Sequence, residues 1–166
     1  RVIKWLDDHP DRRAAPISPE DGGNFCRCEK CRSLTEKDWH GRLSYTRVIL
    51  KFYNDVAKIV AQKHADRMLG GYVYYNYMYP PSEPIKMEPN VWLFLAPLNY
   101  YGWGLAKPLY REEIGKLIPA WKADTPNLGY TNWSIWFRSL NGTPLPPGLP
   151  LLKLELPTLH KNGVRG

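Results

Sequence analysis

Ala14-Ala15-Pro16-Ile17-Ser18-Pro19-Glu20-Asp21-Gly22-Gly23-Asn24-Phe25-Cys26-Arg27-Cys28-Glu29-Lys30-Cys31 is the stretch that decides how this chain reads. A short apolar run, Ala14 to Ile17, ends in two adjacent carboxylates; a glycine pair and three closely spaced cysteines follow. The run reads as a short buried strand. In a barrel of parallel strands, chemistry is placed at the C-terminal strand ends. Glu20 and Asp21 are therefore the first candidates for a reactive site.

Before this stretch, Val2, Ile3, Trp5 and Leu6 read as the apolar side of a short helix that stops at His9-Pro10. After it, Pro19 to Gly41 reads as a long polar loop, a length usually functional or disordered in compact domains. Leu43 to Ala65 carries the strongest helix signal. Tyr45, Val48, Ile49, Phe52, Val56, Ile59 and Val60 form a stripe, with Ser44 or a neighbour as cap. Arg67 to Tyr77 and Val91 to Ala96 read as strands, and Pro80, Pro81, Pro84 and Pro89 leave no proper helix between them. Pro108 to Lys122 predicts a helix with Leu109, Ile114, Leu117, Ile118 and Trp121 inward and Pro119 disturbing its end. Leu128 to Trp133 predicts a strand, Leu149 to Lys161 a helix weakened by Pro157, and Val164 to Gly166 the start of another strand.

Such alternation argues for an α/β fold with a parallel sheet. Its five strand signals suit strands four to eight of a (β/α)8 barrel, which takes about 250 residues when complete. The expectation is that residues 1–166 form the C-terminal part of a TIM-type barrel, within a longer chain.

Lys and Arg number 23 against 16 Asp and Glu, a net charge of +7. The basic residues are scattered, with no run longer than Arg12-Arg13, so nucleic acid is not the expected partner. No stretch approaches the ~20 apolar residues of a membrane span. Aromatic residues are abundant (Trp 7, Tyr 11, Phe 4) and fall in runs. Clustered Tyr and Trp suit a wet pocket, since each offers an apolar face and a polar handle.

Cys26, Cys28 and Cys31 are too close for an ordinary disulfide framework and odd in number. Three thiolates plus a fourth ligand make a structural zinc site, with His40 the best local fourth ligand and His9 the second. One disulfide beside a free thiol is the alternative.

The run from Ser18 to Arg32 resembles the domain-of-unknown-function family 4838, which includes glycoside hydrolase family 163. The likeness continues through Tyr53-Asn54-Asp55-Val56-Ala57, Pro80-Pro81, Asn90-Val91, Ala96-Pro97, Trp121 and Lys161-Asn162-Gly163-Val164-Arg165-Gly166. The resemblance implies a secreted or periplasmic bacterial hydrolase of N-acetylglucosamine-containing glycans. The implied activity is that of an endo-β-N-acetylglucosaminidase, retaining and substrate-assisted, needing no cofactor for catalysis and completed by the remainder of its own barrel.

Glycoside cleavage asks for two carboxyl groups, which Glu20 and Asp21 would supply if the strand has ended before them. The family pattern holds Asp21 more clearly than Glu20. A capping Asp in a loop turn is the plainer alternative. Sugar rings stack on aromatic faces, so Tyr75, Tyr77, Tyr100, Trp103 and Trp133 are candidate binding residues, with Asn99 and Asn132 for hydroxyls or the acetamide. Packing in the core or rim is the competing role for each aromatic. The rival readings are a barrel that binds glycans without cleaving them and a zinc-stapled structural domain.

Overall fold

The computed structural model describes residues 1–97, 107–131 and 148–164, the side chains at 148, 150, 151 and 154 excepted. Its frame is a four-stranded sheet of β1 (Ala14–Pro16), β4 (Met68–Tyr74), β5 (Val91–Ala96) and β6 (Leu128–Tyr130), in that spatial order and parallel throughout. A two-stranded antiparallel hairpin, β2 (Glu36–Lys37) and β3 (Leu43–Ser44), stands apart from it. The helices are α1 (Val2–Asp8), α2 (Glu29–Arg32), α3 (Thr46–Lys63), α4 (Pro108–Asp124) and α5 (Gly148–Lys161), with a 3₁₀ turn at Tyr75–Tyr77. This is the expected α/β class with a parallel sheet. Of the fifth strand signal, Val164 is not in a strand and residues 165–166 lie outside the described residues.

Alternation along β4 buries Leu69, Gly71 and Val73. The register sets these beside Val91, Leu93 and Leu95 of β5, and Leu93 pairs with Leu128 of β6. One core joins this face to Leu6 of α1, to Ile49, Leu50, Tyr53, Ala57 and Val60 of α3, and to Ile114, Leu117, Ile118 and Trp121 of α4. The opposite face is half-buried and aromatic: Trp92 stacks on Phe94, and Tyr72 tilts against Phe94. Gly129 leaves room for the Phe94 ring, since a Cβ there would fall 2.6 Å from it.

Several local expectations are corrected. The stripe on α3 is rotated: Phe52 and Ile59 are 48% and 56% exposed, while Leu50, Tyr53 and Ala57 are buried. The helix begins after Ser44, whose hydroxyl accepts the Thr46 amide at 3.2 Å, and the N-cap residue itself is Tyr45. Leu109 is 69% exposed rather than inward. Pro119 does not end α4; it lies on the exposed side, where water can serve the carbonyl that loses its partner. The loop from 19 to 41 is not featureless, since it holds α2 and β2.

The connection from β4 to β5 has no α-helix, as its prolines predict. Asparagine side chains pin it instead. Asn54 donates to the Lys86 carbonyl at 3.0 Å and accepts the Glu88 amide at 2.9 Å, while Asn90 donates to the Ala57 carbonyl at 3.1 Å. The two Asn54 bonds satisfy backbone groups of the connection that a helix would have paired internally.

Candidate functional site

The parallel strands end on one edge, and the segments leaving β1 and β4 meet there. β1 is extended by one ladder bond, Ile17 amide to Gly70 carbonyl at 2.9 Å. Pro19 can donate nothing further, and the Ser18 hydroxyl continues the pairing by accepting the Tyr72 amide at 2.8 Å. The strand has therefore ended before Glu20 and Asp21, which frees both from strict alternation.

Of the two carboxylates, only Asp21 lies where its charge acts on the tyrosines at the end of β4. The Tyr77 phenol is pushed up to about 12, by burial first and then by the charges of Tyr74 and Asp21. Burial also raises Tyr74, again with Asp21 contributing. Both phenols thus stay protonated at physiological pH. Glu20 and Asp21 are both exposed, and of the two only Asp21 is among the charges acting on the phenols.

Next to this group lies a cleft of about 390 Å³, lined by Gly23, by Asp38, Arg42 and Leu43 of the hairpin, and by Tyr75, Asn76 and Met78. Tyr75 has φ +49° and is 61% exposed. The left-handed region costs a bulky residue about 1–2 kcal/mol, so the turn holds this ring outward under strain. The Asn76 side-chain oxygen is buried and has no hydrogen-bond partner among the described residues. Asp38 is already engaged: it accepts the His40 and Arg42 amides and the Arg42 guanidinium at 2.8, 2.9 and 3.0 Å.

The chain matches the family described as "Domain of unknown function (DUF4838)" across residues 1–166. It belongs to this family. No curated protein and no solved structure matches it. In this DUF4838 chain, Tyr77 and Tyr75 are brought to the edge as the sequence suggests, one buried beside Asp21 and the other open at the cleft. Asn99, Tyr100, Trp103, Asn132 and Trp133 lie outside the described residues. Tyr74, Asn76 and the Asp38–Arg42 pair were missed. The hairpin had a local signal, Asp38 followed by Gly41 at φ +72° in a turn closed by the Asp38 carboxylate. Asn76 had none.

The three cysteines are free thiols whose sulfurs all lie within 4.8 Å of one another. His40 is not beside them. The hairpin turn aims it at α4, where its Nε2 bonds Glu113 and its ring packs edge-on against Tyr79, 5.2 Å between centroids. His9 is turned inward on its own helix, Nδ1 against the Trp5 carbonyl at 2.8 Å. Among the described residues, no helix is long and apolar enough to cross a membrane.

Proposed function

We propose that the C-terminal edge of the sheet takes an N-acetylglucosamine-containing glycan, and that Asp21 serves its hydrolysis. The observation carrying this reading is the cleft beside the C-terminal ends of β1 and β4, lined by Gly23, Asn76 and the open Tyr75 ring, next to the turn that carries Asp21. Tyr75 offers a flat apolar face to a sugar ring.

In a retaining, substrate-assisted reaction, the acetamide oxygen attacks the anomeric carbon while a carboxylate orients the acetamide. A second carboxyl group protonates the leaving oxygen. Asp21 is the candidate for the orienting role, and Glu20 is the candidate acid. The sheet is read as part of a (β/α)8 barrel because its four strands follow chain order with every neighbour parallel. The family-163 likeness extends this reading to a secreted or periplasmic bacterial enzyme of the endo-β-N-acetylglucosaminidase type.

One observation favours a non-catalytic glycan binder. The carboxylate that lines the cleft, Asp38, is committed to Arg42 and to turn amides, so it is not available as an acid. Asp21→Asn in the full-length protein, assayed on an N-glycan, separates the readings. Loss of turnover with glycan binding kept supports hydrolysis through Asp21; unchanged turnover overturns that role; glycan binding with no turnover in the unsubstituted protein leaves the binder.

A further inference from the structure

We propose that Cys26, Cys28 and Cys31 form a three-thiolate zinc site whose fourth position is open to water. Zinc–sulfur bonds of about 2.3 Å in a tetrahedron place sulfurs about 3.8 Å apart, so three sulfurs already within 4.8 Å close on the ion by small side-chain rotations. No histidine or carboxylate among the described residues joins the group, and Cys26 and Cys28 are exposed. The open position therefore faces solvent.

Backbone bonds hold the turn that gathers the sulfurs: the Arg32 amide donates to the Cys28 carbonyl at 2.9 Å and the Leu34 amide to the Cys31 carbonyl at 3.2 Å. Binding releases three protons to solvent and moves no electron. Three thiolates and a dication leave one negative charge, and three basic residues (Arg27 and Lys30 between the cysteines, Arg32 after them) outnumber the one acid of the stretch, Glu29. Thiolate donors select soft ions such as zinc over magnesium or calcium.

The ion would fix more than its own turn. Phe25, adjoining Cys26, packs on Tyr45 and meets Tyr77 edge-on, at centroid distances of 4.9 and 5.7 Å. Tying the cysteines together holds Phe25 against the tyrosine that faces Asp21. The site stands whether or not the cleft takes a glycan.

Elemental analysis of the full-length protein, purified under reducing conditions and dialysed against zinc, tests this. One zinc per chain, lost in Cys26→Ser, Cys28→Ser and Cys31→Ser alike, is the expected result. Should a serine variant fail to fold, titration of the unsubstituted protein with Cd²⁺ replaces it, and thiolate-to-cadmium absorption saturating at one ion per chain is expected. Absence of stoichiometric zinc, zinc retained in the triple variant, or a disulfide between two of these cysteines in protein isolated without reductant would overturn the site.

Discussion

The Tyr53 ring occupies the space that a side chain on Gly71 would need: a Cβ at Gly71 would lie 2.5 Å from Tyr53 Cε2. The Tyr53 hydroxyl completes the contact by donating to the Tyr72 carbonyl at 2.9 Å. This pair seats α3 on β4 and sets the rotation of the helix. Gly71→Ala therefore overpacks the core and should destabilise the protein by about 1–3 kcal/mol. Urea unfolding measures it, and an unchanged midpoint would contradict the packing described.

Tyr75 combines strain with exposure. Glycine at this position removes the left-handed penalty of about 1–2 kcal/mol and adds about 0.5–1 kcal/mol of backbone entropy. Tyr75→Gly should then be slightly more stable than Tyr75→Ala, which keeps the strain. Both should lose glycan affinity, because both lose the ring. Thermal melts together with isothermal titration of an N-glycan separate the two effects.

Tyr77→Phe keeps the aromatic contact with Phe25 and deletes the phenol beside Asp21. If that hydroxyl acts on the ligand or on the carboxylate, glycan binding or turnover falls by about tenfold, near the 1.4 kcal/mol of one hydrogen bond to a charged group. Stability changes little. An equal loss of stability and function would reassign the hydroxyl to packing.

Asp124 is buried at the end of α4, and burial raises its pKa to about 6, opposed by an amide bond from Ile85. Its folded value lies above the ordinary 3.8, so the folded state holds the proton more tightly. The burden is absent below about pH 4 and is complete once the pH passes the folded value. Asp124→Asn should stabilise the protein at pH 7, by on the order of 1–3 kcal/mol, with little difference at pH 4. Denaturant midpoints at both pH values check the sign.

The alternation of strands and helices was legible because burial repeats locally, every second residue in a strand and about every third or fourth in a helix. The rotation of α3 was not. Phe52 and Ile59 are as apolar as their neighbours, and only the fit of Tyr53 over Gly71 turns them to solvent.

The same division holds at the site. The sequence by itself determined that a strand ends before Glu20 and Asp21, since Pro19 cannot extend the ladder, and that three thiols crowd one short turn. Family membership is likewise carried along its whole length. Tertiary structure decided which carboxylate's charge acts on Tyr74 and Tyr77, that His40 bonds Glu113 73 positions away, and that the Asn76 oxygen is buried with no partner among the described residues. Those outcomes depend on where separate loops land on a common sheet edge. Local periodicity carries no information about that, because the contacts that settle it join residues far apart in the chain.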